Sequence, residues 1–134
     1  MDMQKVMKGI IATAALDRSK YHLTLGKLIS ALAAMPDDAV VRFDHGASPG
    51  VLDSYREYYS DLAFESMGKP VTVDSLLVYA RAALGCEYRG YKGGDYMMTQ
   101  TTPLWNAEYG DCGLAIIGCH VDGDALILET KQLN

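Results

Sequence analysis

Apolar residues repeat at helical spacing through most of the first part of the chain and at strand spacing in the last third. In Met3–Leu16 the apolar set Val6, Ile10, Ile11, Ala14 and Ala15 predicts an amphipathic helix, followed by a polar connector, Asp17–Lys20. Thr24 can accept an orphan backbone N–H at the start of a second helix, whose apolar positions are Leu25, Leu28, Ile29, Leu32 and Ala33. Pro36 ends it, because proline disfavours helical geometry in the residue before it. Val40–Phe43 reads as a strand. Gly46, Pro49 and Gly50 make Asp44–Leu52 read as a loop, and Leu62–Glu65 as a short strand. A third helix, Val73–Leu84, is capped by Thr72 and stopped by Gly85, with Leu76, Leu77, Ala80 and Leu84 as its stripe. Strands follow at Asp95–Met98 and Leu104–Ala107. Asp122-Gly123 between the apolar runs Leu114–Val121 and Asp124–Glu129 signals a tight C-terminal hairpin. The pattern predicts an α+β fold: N-terminal helices with a mainly antiparallel β-sheet and a C-terminal β-hairpin. With no repeat or linker, residues 1–134 read as a single compact domain, 1–20 being an N-terminal helical extension.

The 134 residues suffice for one real core. A net charge of −5 and a pI near 5.0 argue against a protein that grips long nucleic acid. They allow a small nucleotide held by a few cations in a cleft. Lys5, Lys8 and Gly9 interrupt the N-terminal apolar pattern, which lacks the continuous apolar region of a signal peptide, so none is expected. No stretch approaches the roughly 20 apolar residues of a membrane span, so no membrane partner is expected. Cys86, Cys112 and Cys119 are odd in number and lack CxxC spacing, as in an intracellular protein with reduced thiols. No zinc-finger spacing is present, and neither a metal nor a cofactor is expected.

Two segments carry the chemistry. Asp53-Ser54-Tyr55-Arg56-Glu57-Tyr58-Tyr59 and Tyr88-Arg89-Gly90-Tyr91-Lys92-Gly93-Gly94-Asp95-Tyr96 hold most of the nine tyrosines; the second runs on to Thr102-Pro103-Leu104-Trp105-Asn106, with the only tryptophan. Aromatic faces stack on planar rings, Arg and Lys bind phosphate, and glycine lets backbone N–H groups approach an anion. The mixture suits a ligand flat at one end and phosphorylated at the other. Arg56 is the phosphate or ribose anchor of the first segment and Tyr59 a possible stacking platform; Arg89 and Lys92 flank the glycines of the second, beside Tyr91 and Tyr96. The plainer reading has the tyrosines at the core edge, Arg56 paired with Glu57 or Asp61, and the glycines in a twisted hairpin. No Walker loop or dinucleotide-binding fingerprint is present. Asp44-His45 precedes a loop, yet no serine or cysteine has a legible partner, so no catalytic residue is assigned.

The run FDHGASPGVLDSYREYYSDLAFE, followed by GYKGGDYMMTQTTPLWNAEYGDCG, resembles the first type of Thoeris anti-defence protein, a family of small proteins from bacterial viruses. The resemblance covers about Leu25 to Val121. It implies a non-catalytic sponge for cyclic ADP-ribose isomers made by TIR-domain proteins, with cyclic trinucleotides of CBASS enzymes as further ligands of some members. It implies a homo-oligomer, dimer or hexamer, with sites where subunits meet, acting in the cytoplasm of the infected bacterial host. It puts Arg56 at a phosphate, Tyr96 or Tyr91 against adenine, and Asn106 or Glu108 near a sugar or base edge. The chain departs from the pattern in its N-terminal extension and in Glu57, where a small residue is expected. A second reading is a protein-binding inhibitor of a bacterial defence complex. Its acidic charge favours this; its acids, however, are scattered rather than gathered in a run.

Overall fold

The structure is a computed structural model that describes residues 18–55, 58, 60–89, 95–108 and 111–133. Its elements in chain order are α1 (Leu25–Ala33), β1 (Val40–Phe43), β2 (Ser48–Asp53), β3 (Leu62–Met67), β4 (Val71–Thr72), α2 (Val73–Ala83), β5 (Glu87–Arg89), β6 (Asp95–Met97), β7 (Leu104–Glu108), β8 (Asp111–Asp122) and β9 (Ala125–Lys131). The fold is α+β, with a mostly antiparallel sheet, as the periodicity predicts. The predicted helix Met3–Leu16 lies outside the described residues.

Seven strands form one sheet in the order β2-β3-β7-β8-β9-β1-β4. Two of its pairings are parallel, β1 with β9 and β3 with β7. The sheet curls, so that β2 at one edge lies against β1 and β4 at the other. A separate ribbon pairs β5 with β6, matching Tyr88 with Tyr96.

The main core fills the space between the helices and one face of this sheet. Leu25, Leu28 and Leu32 of α1 and Val73, Leu76, Ala80 and Ala83 of α2 meet Val41, Phe43, Leu62, Phe64, Leu104, Ile116 and Leu128. Successive strand residues point to opposite faces. Ala63 and Trp105 therefore build a second, smaller cluster with Cys112 and Ala115 on the other face, against which Tyr55 and Tyr58 pack. Thr24 caps α1, its hydroxyl accepting the Lys27 amide at 3.4 Å. Thr72 holds the N-cap position of α2 but, contrary to expectation, its side chain makes no capping bond: its hydroxyl donates to the Asp74 carboxylate, which accepts the Ser75 amide.

Three expectations need correction. The predicted loop Asp44–Leu52 contains strand β2. Pro49 and Gly50 are tolerated because β2 is a sheet edge with a register shift between Pro49 and Leu52. The hairpin turn falls one residue later than expected, on Gly123 and Asp124, with Asp122 still paired to Ala125. Leu84 lies outside α2 and is exposed. One bend was not anticipated at all. Gly113 has φ +75 at the β7–β8 irregularity, where a Cβ would run into the Asn106 carbonyl oxygen.

Candidate functional site

The segment before α1 is bound to the strands that carry Trp105. The Leu23 amide donates to Ile116 O, the Leu104 amide donates to Leu23 O, and the Leu25 amide donates to Thr102 O. This threading sets Arg18 and His22 beside the outer face of β7.

Asp61, immediately before β3, is the hub of that face. It is fully buried. Its carboxylate accepts Arg18 Nε at 2.8 Å and Arg18 Nη2 at 2.9 Å. It also accepts Trp105 Nε1 at 2.9 Å and the Ser60 hydroxyl at 3.2 Å. Burial alone lowers the Arg18 pKa, but the hydrogen bond and charge of Asp61 outweigh it and raise the value, so Arg18 remains a cation. The guanidinium carbon also lies 4.1 Å from the Tyr58 ring centroid. Tyr58 stacks on Trp105, centroids 4.9 Å apart and planes at 18°. His22 tilts against the same indole at 4.6 Å. Its Nδ1–H donates to Leu104 O at 3.0 Å, and burial lowers its pKa, which favours the neutral ring.

These rings form one wall of an open recess of about 660 Å³, within the range of small-molecule sites. Exposed Tyr21, Glu108, Lys131 and Leu133 complete its rim. Trp105 and His22 are buried behind Tyr58, so the aromatic ring the recess exposes is Tyr21 at its rim. Beside it stand the carboxylates of Glu108 and Asp111, for ribose hydroxyls or a base edge, and a lysine. Arg18 is already paired with Asp61, so its charge is largely neutralised. The recess thus suits the base and sugar end of a nucleotide better than a pyrophosphate.

The expected site residues are distributed unevenly. Glu108 lines the recess. Asn106 does not. It is buried at the level of Phe64. Its Oδ1 accepts His45 Nε2 at 2.9 Å, and its Nδ2 donates to Phe64 O and to Ser66 Oγ, both at 3.0 Å. Tyr96 is half-buried and packs on the main core beside Tyr88. Arg89 lies on β5, with only its backbone described. Arg56, Tyr59, Tyr91 and Lys92 lie outside the described residues. Asp61, one of the expected partners of Arg56, is held by Arg18, while Arg56 itself lies outside the described residues.

Sequence reasoning missed Arg18, His22 and Asp61. Arg18 and His22 sit in a stretch without periodicity, and an acidic residue before a strand is ordinary. Trp105 was legible as a rare aromatic, though not as the partner of Tyr58. Comparison of the chain with protein-family models, curated proteins and solved structures finds no match.

Proposed function

We propose that this protein is a viral anti-defence factor that binds a cyclic nucleotide immune signal and sequesters it without cleaving it. The ligand class is the cyclic ADP-ribose isomers, with cyclic trinucleotides as a second possibility to be tested beside them. The observation that supports the reading most is the recess of Tyr58, Trp105 and His22 rimmed by Glu108 and Lys131. A base stacked on the exposed Tyr21 ring at its rim gains about 1–3 kcal/mol. In this reading the pyrophosphate is met by Arg56, Arg89 and Lys92, the cations of the two tyrosine-rich segments. The resemblance supports Arg56 at a phosphate, Tyr91 as a further ring against adenine, Glu108 near a sugar or base edge, a homo-oligomer with ligand sites between subunits, and action in the host cytoplasm. No described helix is long and apolar enough to cross a membrane.

Titration calorimetry with a cyclic ADP-ribose isomer and a cyclic trinucleotide tests the reading, with the fluorescence of Trp105, the only tryptophan, read in parallel. Micromolar or tighter binding with altered Trp105 emission is expected. Light scattering on the same samples tests assembly, with at least a dimer expected. Failure of both ligands to bind would make the protein-binding inhibitor the better account.

A further inference from the structure

A second cavity, of about 610 Å³, lies between the β2–β3 hairpin and α2, in a different place from the aromatic recess. One of its walls is a stripe of α2, formed by Ser75, Tyr79 and Ala82 and continued by Cys86 beyond the helix end. From Ser75 to Ala82 the stripe rises about 10 Å along the helix. The opposite wall is the edge strand, where Gly50 lets Met67 fold close over the backbone.

The lining is mainly apolar, and among the described residues its only charged side chain is Lys69. Lys69 lies in the β3–β4 connection, just before β4 and the N-terminus of α2. Asp74 in the first turn is outside the lining and is engaged by Thr72 and Ser75. Burial raises the Tyr88 pKa, which marks a poorly solvated wall. Val51, Met67 and Tyr79 hold apolar surface open to solvent around it.

Three observations select the occupant. A mainly apolar groove that follows one face of the helix and continues to Cys86 fits an extended hydrocarbon chain. The Lys69 cation at one end fits an anionic head. A peptide strand is disfavoured, because Pro49 lacks a backbone N–H and the register shift at Gly50 and Val51 breaks the edge that a strand would pair with. We propose that the groove between β2–β3 and α2 binds a single-chain anionic amphiphile, with its head at Lys69 and its tail directed toward Cys86.

The test uses octanoate, decanoate and dodecanoate below their micellar concentrations, with dodecanoate methyl ester as the uncharged control. Calorimetry should give one saturable site that tightens about tenfold for each added pair of methylenes. Dodecanoate should slow alkylation of Cys86, the exposed one of the three cysteines, as mapped by mass spectrometry. Ala82→Phe, at an exposed helix position that lines the cavity, should abolish binding while leaving the melting temperature and nucleotide binding unchanged. Lys69→Gln should remove the preference for carboxylate over ester. Affinity independent of chain length, or Cys86 reactivity unchanged by saturating dodecanoate, would overturn the proposal even if Ala82→Phe failed to fold. So would a concentration-dependent dimer that Ala82→Phe dissociates, since the occupant would then be a second copy of the chain.

Discussion

Replacing Asp61 with alanine removes the carboxylate that holds Arg18 and the Trp105 indole together. Asp61 has no exposure, whereas the Arg18 side chain keeps 20% of its own. Removing one partner of a buried ion pair costs about 3–5 kcal/mol, because the other charge is left uncompensated. Partial exposure lets water reach Arg18, which favours the lower end. The Trp105 N–H also loses its acceptor at 2.9 Å, and a buried unsatisfied donor adds about 1 kcal/mol or more. The two effects overlap, so about 3 kcal/mol is expected in total. For a domain of this size that is roughly a 10–15 °C drop in melting temperature. Urea unfolding followed by Trp105 fluorescence measures it without ambiguity, since Trp105 is the only tryptophan. Asp61→Asn should cost less, because one amide oxygen can still accept from one of the two donors. A double-mutant cycle with Arg18→Met should show coupling above about 1 kcal/mol. A loss under about 1 kcal/mol for Asp61→Ala, or additive single mutants, would refute the hub role assigned to Asp61.

Arg56→Ala should weaken nucleotide binding by roughly 10- to 150-fold, the worth of a charge-assisted hydrogen bond to phosphate; an equal loss of thermal stability would assign it a structural role instead. Tyr96→Ala should lower stability by about 2 kcal/mol, because the ring packs on the main core, whereas Tyr96→Phe should be nearly neutral in a thermal melt. Tyr91→Ala should lower nucleotide affinity by about 1–3 kcal/mol and Tyr91→Phe should retain it, since the ring and not the hydroxyl does the stacking; calorimetry separates the two. Burial lowers the His22 pKa from 6.5. The unfolded chain therefore binds the proton more readily, and this stability is fully present above about pH 6.5 and lost as pH falls through the folded value. Melts between about pH 7.5 and 5.5 should show a steeper acid loss for the wild type than for His22→Gln, and equal slopes would contradict the neutral-histidine assignment.

Helices α1 and α2 and most strands were legible because each buries a stripe that local periodicity reveals. Thr24, Leu25, Leu28 and Leu32 specify α1 without outside help, and the run Leu114–Val121 announces β8. Strand β2 was not legible, since proline and glycine argue against a strand wherever its edge position is unknown. The aromatic recess was legible only in its parts. Trp105 and Tyr58 stood out as residue types, while their stacking depends on Arg18 and Asp61 meeting across 43 positions of sequence. The parallel pairing of β3 with β7 places Ala63 beside Trp105 and so brings Asp61 within reach of it. No local pattern encodes that contact. Asn106 illustrates the converse: a polar residue near a promising motif proved to be an internal bridge between His45, Ser66 and the Phe64 carbonyl.

The most direct test of sequestration is to incubate the purified protein with a cyclic ADP-ribose isomer and, separately, a cyclic trinucleotide. Unbound ligand is removed by gel filtration, the protein is denatured by heat, and the released small molecules are identified by mass spectrometry. The expected result is recovery of chemically intact ligand, in fixed proportion to the protein and unchanged by longer incubation. Recovery of a hydrolysed or otherwise altered nucleotide would contradict the account by making the protein an enzyme, and recovery of neither ligand would contradict it by removing the nucleotide altogether.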